Sequence, residues 1–265
     1  MNAPPHQCHD ELLLQVSTVY RQLAGPGFHH AENAMCGRFV QFEGMAIYIE
    51  ELSPQIDMFS GYDAAPINRF NIAPTTRVQV LHTRNNSLHI DAVHWGWAPF
   101  WAKGKRPDPI NARVETVATG KFFKQLWPNG RALVPSEGWY EWVNDPDDPK
   151  KKQPYFIRLK SRRPMFFGAL AEVRPGLEPR EGDGFVIITA ASDEGMVDIH
   201  DRRPLVLTAE HANEWLDPSL SPVRAEEIAK ERCRPTDEFE WFPVGKAVGN
   251  VRNQGPTLIE PIGRL

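Results

Sequence analysis

From position 36 onward, apolar residues fall in short β-rich runs rather than long helical stripes. Arg38 to Phe42, Val78 to His82, Leu88 to His94, Arg131 to Val134, Tyr155 to Leu159, Met165 to Leu170, Phe185 to Thr189 and Leu205 to Leu207 each predict a strand. Clusters of Gly, Pro, Asn and Asp separate them. Helical periodicity is confined to Met45 to Leu52, Val117 to Trp127, Ala209 to Leu216 and Ala225 to Arg232, and Asp217-Pro218 stops the third of these. There is no repeat and no β-α-β-α alternation. One α+β domain is therefore predicted, with mainly antiparallel sheets forming a barrel-like core and helices at the periphery. No linker divides residues 36–265. Residues 1–34 differ: they hold His29-His30, Gly25-Pro26-Gly27 and a short helical pattern around Glu11 to Leu23.

Composition narrows the classes. The chain has 265 residues, and its 30 basic and 34 acidic side chains give a net charge of −4. That balance argues against a histone-like binder driven by charge alone. No apolar run reaches the length of a membrane span. The N-terminal segment is a poor signal peptide, because it has no Lys or Arg before Arg21 and only a short run at Leu12-Leu13-Leu14. Cys8, Cys36 and Cys233 show no metal-ligand spacing and no disulfide framework, so no metal or other cofactor is expected and a reducing cytoplasm is the simplest compartment. Two stretches are locally basic. One carries Lys103, Lys105, Arg106, Arg113, Lys121, Lys124 and Arg131 against Asp108 and Glu115. The other, 150–163, has no acid and reads as a solvated loop and strand edge beside an exposed turn. Together they could mark a polyanion footprint.

Candidate chemistry is scattered. His200 lies among Asp198, Asp201, Arg202 and Arg203, a polar loop in which its proton affinity is open to tuning. Asn111 and Arg113 would project to one side of a strand, an arrangement that suits a phosphate or polar ligand, or else a plain turn and a surface arginine. Glu141 stands between Tyr140 and Trp142, and alternation alone favours an outward-facing surface carboxylate over one turned into a cleft.

Taken together, the segments resemble a known family. Met35 to Phe39, Asn71 to Thr75, Trp95 to Pro99, Ile110 to Thr116, Gly138 to Trp142, Asp198 to Leu205 and Val248 to Val251 follow the motif order of the SOS-response-associated peptidase (SRAP) family. The resemblance covers residues 35 to about 258, with 259–265 left as a C-terminal tail. It implies a sensor and shield of abasic sites in single-stranded DNA, with Cys36, Asn111, Glu141 and His200 as the catalytic set. It also implies that Arg38, Arg113 and Lys121 hold phosphates, that Asn71, Pro74 and Thr189 line the groove, and that Trp101 and Trp142 stack or wedge against bases. Two positions depart from the pattern. Lys121 stands where the family can carry Arg, and Ala102 where it can carry a second Trp.

The implied chemistry needs a terminal cysteine. An amine attacks the open-chain aldehyde of an abasic site to give a Schiff base, and a thiol two carbons away closes a thiazolidine ring. Only a cysteine with a free α-amine supplies both groups. The expectation is that Cys36 is residue one of the working protein, with residues 1–34 a mis-called start or a removed extension. A start at Met35 is favoured, since Glu32-Asn33 would be encoded by purine-rich codons. A retained extension would abolish the ring. One-to-one capture implies a monomer, cytoplasmic and nucleoid-associated when bound. A lyase side reaction is expected, because the imine permits β-elimination. Other readings are a thiol autopeptidase with Cys36 as nucleophile and His200 as base, and a non-catalytic nucleic-acid module.

Overall fold

The computed structural model describes residues 36–58, 61–105, 107–145, 148, 150–173 and 182–263. The helix expected around Glu11 to Leu23 lies outside them. In chain order, β1 (Phe39–Gln41), α1 (Met45–Leu52), β2 (Arg69–Ile72), β3 (Arg77–Arg84), β4 (Ser87–His94) and β5 (Asn111–Arg113) come first. Then follow β6 (Arg131–Ser136), β7 (Gly138–Asn144), β8 (Lys152–Leu159), β9 (Met165–Glu172), β10 (Gly184–Ala191), β11 (Arg202–Pro204) and β12 (Val206–Leu207). Helices α2 (Ala209–Leu216) and α3 (Pro222–Glu231) and strand β13 (Phe239–Pro243) complete the order. The helix starts are conventional: Thr208 accepts from the His211 N–H, and Ser221 accepts from the Arg224 N–H with Pro222 at the first turn.

The strands form two mainly antiparallel sheets. The five-stranded sheet runs β13-β8-β7-β1-β2, and the eight-stranded sheet runs β11-β10-β9-β6-β3-β4, with β12 on β9 and β5 parallel to β10. Each order is an open path, so the expected barrel is not found as a closed ring of strands among the described residues. A single parallel bridge, Trp95 to Phe185, links the chain just past β4 to β10.

Strand alternation sorts the side chains into three apolar layers. In β6, Ala132 and Val134 face the space between the sheets, while Leu133 faces the helices. In β10, Phe185 and Ile187 face inward between the sheets, and Val186 and Ile188 face α1, α2 and α3. The smaller sheet contributes Phe39, Trp139 and Ile157 to the shared layer and turns Val40, Tyr140 and Phe156 outward, where Val244, Val248 and Leu258 cover them. Both sheets are thus buried on both faces, which explains runs such as Met165 to Ala171 that are apolar without interruption.

Differences from the sequence reading have local causes. Val117 to Trp127 is a chain of turns rather than an α-helix. Bonds such as Gly120 N–H to Thr116 O and Lys124 N–H to Gly120 O do not join into one ladder, and Gly120 sits at the break. Val117, Leu126 and Trp127 are still buried there. The segment set apart as a tail from 259 stays paired through Ile262, whose N–H donates to Pro243 O at 2.9 Å.

Gly138 seats β7 against β8. A Cβ there would lie 2.4 Å from Phe156 Cζ and 2.5 Å from the Ile157 carbonyl oxygen. Gly138→Ala should therefore destabilise the protein by about 2 kcal/mol, lowering Tm by roughly 4–8 °C in a thermal melt.

Candidate active site

The Cys36 to Arg38 segment runs beside β7 because β1 pairs with it: Phe39 faces Trp139 and Val40 faces Gly138. Continued outward, that register sets Gly37 against Glu141, and the Tyr140 N–H bonded to Arg38 O at 2.9 Å holds it. Glu141 shares the strand face of Trp139, so it points into the layer between the sheets. Its exposure is only 3%, which overturns the outward-facing reading of alternation alone: the second sheet covers that face.

Cys36 is 1% exposed, with a positive φ of 40°. Its main-chain N–H donates to Glu141 Oε1 at 3.1 Å. In the 265-residue chain this nitrogen is a peptide amide; in a chain beginning at Cys36 it is the α-amine. Burial pushes the Glu141 carboxyl from 4.5 to about 8, opposed by the Cys36 hydrogen bond and reinforced by the nearby Asp201. Burial also pushes the Cys36 thiol well up, and the Glu141 charge adds to that. The adjoining Glu137 is a second buried carboxyl, moved to about 7, but the Tyr48 hydroxyl and the Phe42 N–H occupy it.

Asn111 and His200 arrive on other elements. Ile110 and Ile199, the residues just before them, pack on the apolar cluster that contains Cys36 and Trp139. Asn111 opens β5 opposite Ile187 of β10. The His200 side chain is 16% exposed, with Nδ1 3.0 Å from Asp201 Oδ1 and 3.1 Å from the Arg202 main-chain nitrogen. Of the nominated four, Cys36 and Glu141 touch directly, while Asn111 and His200 each follow a residue packed on the cluster that contains Cys36.

The nominated binding residues divide by exposure. Arg113 and Lys121 are exposed. The Lys121 ammonium sits 5.4 Å from the Trp101 ring centre, and Trp101 packs edge-on against Phe122. Phe100 beside it is 94% exposed, an aromatic that the motif reading passed over. Arg38 lies 5.6 Å over half-buried Trp142, and its Nη1 donates to Asn71 Oδ1 and Val248 O. Pro74 is half-buried in the turn before Thr75, whose φ is 65°.

Asn71 and Thr189 do not line a surface. Asn71 is buried, and its Nδ2 donates to the carbonyls of Val248, Asn250 and Asn253 at 3.0 to 3.1 Å. It orients Arg38 and ties down the 248–253 loop. Thr189 is fully buried, and its carbonyl accepts from Val114 N–H and from Arg202 Nη2. Sequence reading also missed Asp201 as a neighbour of Glu141, and the ion pair between Arg202 and Glu115. Polar residues crowded around His200 were the only signal for either.

The fold and site define a two-sheet protein that presents a cysteine nitrogen to a buried carboxyl. The chain belongs to the SOS response associated peptidase (SRAP) family, whose description matches residues 35–251. It is 47% identical over 228 residues to abasic site processing protein YedK of Escherichia coli, covering 86% of this chain and 100% of that one. Similarity to abasic site processing protein YoqW of Bacillus subtilis is 32% over 230 residues, covering 85% and 99%. A crystal structure of a phage-related protein from Bordetella bronchiseptica is similar at a TM-score of 0.67 and 38% identity, covering 79% of this chain and 94% of that one.

Glu141 makes stability depend on pH in the 265-residue chain. The folded carboxyl releases its proton near pH 8 and the unfolded one near 4.5, so the unfolded state binds fewer protons between those values. Stability from this group is full below pH 4.5 and is lost as pH rises to about 8. At about 1.4 kcal/mol per unit the loss is on the order of 5 kcal/mol. Urea unfolding should show Glu141→Gln with a much flatter slope between pH 5 and 8; equal slopes would contradict the assignment.

Proposed function

We infer that this protein, with Cys36 as its first residue, captures abasic sites in single-stranded DNA as a thiazolidine adduct. The observation that carries the reading is the Cys36 nitrogen bonded to a buried Glu141. The family and the names of the relatives support the substrate.

An α-amine titrates near 7.7–8.0, so a useful fraction is neutral and nucleophilic near neutrality. An ionised Glu141 would favour the ammonium, so its role is to orient the amine and relay its proton. The amine adds to the sugar aldehyde, and the carbinolamine loses water to give an imine. His200 supplies a proton to the departing hydroxyl, and earlier to the sugar ring oxygen as it opens. Sγ then adds to the imine carbon while the thiol proton passes to nitrogen. One water leaves in total. Asn111 holds the amine or sugar through neutral hydrogen bonds. Strand cleavage by β-elimination is the competing side reaction.

Arg38 offers Nη2 to phosphate, since Nη1 is committed to Asn71 and Val248. Arg113 and Lys121 add exposed cations, and Trp101 and Trp142 offer stacking faces. The thiol peptidase reading is disfavoured, because reactive thiolates are held at lowered pKa and the Cys36 thiol is pushed up. We also read the larger sheet as barrel-like, on the strength of the Trp95 to Phe185 bridge. Capture of one lesion by one chain needs no second subunit, and the substrate places the protein with DNA.

The form starting at Cys36 should give a heat-stable adduct with an oligonucleotide bearing one abasic site, read on a denaturing gel. Cys36→Ser should give at most a labile imine, and Glu141→Gln should slow capture on the order of 10²-fold. An undiminished heat-stable adduct with Cys36→Ser would refute ring closure.

A further inference from the structure

His200 Nδ1 has two neighbours that ask opposite things of it. The Arg202 main-chain N–H, at 3.1 Å, requires Nδ1 to accept. Asp201 Oδ1, at 3.0 Å, can bond only a protonated Nδ1. While the imidazole is neutral, the Arg202 bond holds the proton on Nε2. Holding it there depends on where the Arg202 backbone lies, and that backbone is held by the pairing of β11 with β10, where Arg202 faces Ala191, and by its own side chain.

The Arg202 guanidinium is mostly buried and binds Glu115 through both terminal nitrogens, with Nη2 to Oε2 at 2.9 Å. Nη2 also donates to the Thr189 carbonyl at 2.6 Å. Bidentate guanidinium–carboxylate pairing fixes geometry as well as adding energy. Glu115 is held ionised, chiefly by that hydrogen bond. It follows Arg113 by two residues and Asn111 by four, in the turn where Thr116 N–H and Val117 N–H both bond to Arg113 O. The unit that supplies Asn111 therefore also grips the loop that supplies His200.

We propose that Glu115 is a positioning residue, acting through Arg202 to fix the Nε2–H tautomer of His200 and its placement relative to Asn111. Glu115 touches neither lesion nor reacting atoms. The proposal rests on the reading of His200 as proton donor. It predicts that cutting the ion pair harms chemistry more than DNA binding, although it frees a cation that phosphate could use.

The test uses the form starting at Cys36, with ¹⁵N-labelled histidine, and the variants Glu115→Ala and Glu115→Gln. Long-range ¹H–¹⁵N spectra in mildly alkaline buffer should show His200 as one Nε2–H tautomer in the parent and as a tautomer mixture in Glu115→Ala. Glu115→Gln, which keeps one acceptor for Arg202, should lie between. Single-turnover adduct formation should slow about tenfold in Glu115→Ala, less than the roughly 10²–10⁴-fold that a positioned proton donor supplies. Affinity for the same oligonucleotide without a lesion should be unchanged or higher. A single tautomer and the parent rate in Glu115→Ala, with or without tighter DNA binding, would overturn the proposal. If the parent itself forms no adduct, the covalent reading fails, and the tautomer comparison alone still decides the role of Glu115.

Discussion

The hydrogen bond from the Cys36 nitrogen to Glu141 Oε1 lies in a layer otherwise filled by Phe39, Trp139, Ile157 and Phe167. An ionised carboxylate isolated there would be costly, so the group keeps its proton to about pH 8. The same burial disfavours a thiolate on Cys36. Burial thus keeps both side chains protonated, side by side. A proton is then close by to move when a neutral amine attacks.

Much of the remaining architecture serves to keep this pair dry and aligned. The pairing of β1 with β7 sets the distance between them. The eight-stranded sheet closes one side of β7 through Phe167, Phe185 and Ile187, and the C-terminal segment closes the other through Val244, Val248 and Leu258. Asn71 fastens that segment by three carbonyl contacts and turns Arg38 towards Trp142 with its remaining oxygen. Residues far apart in sequence therefore share one task, and Asn71 contributes from the interior rather than from a DNA-facing surface.

The strand set was largely legible because both faces of each sheet are buried, which leaves dense apolar runs. Strands β2, β11 and β13 escaped notice, since Arg69–Ile72, Arg202–Pro204 and Phe239–Pro243 are short and interrupted by polar residues. Gly120 interrupts what periodicity predicted as a helix. The catalytic candidates could be named from ordered motifs, but their environments could not. Alternation places Glu141 on the face of Trp139 without revealing that a second sheet covers that face. Asn71 and Thr189 read as surface polar residues because sequence does not show that main-chain groups of distant segments occupy them. Ion pairs such as Arg202 with Glu115, 87 residues apart, leave no local trace at all.

The most direct test of the account is peptide mapping of the purified DNA adduct by mass spectrometry after nuclease and protease digestion, with free thiols alkylated beforehand. The account predicts a sugar remnant on the peptide that begins at Cys36, a mass corresponding to loss of one water, and a Cys36 thiol protected from alkylation. A remnant on a lysine, an alkylated Cys36 in the adduct, or equal heat-stable cross-linking by the 265-residue chain with its Cys36 nitrogen in a peptide bond would contradict it.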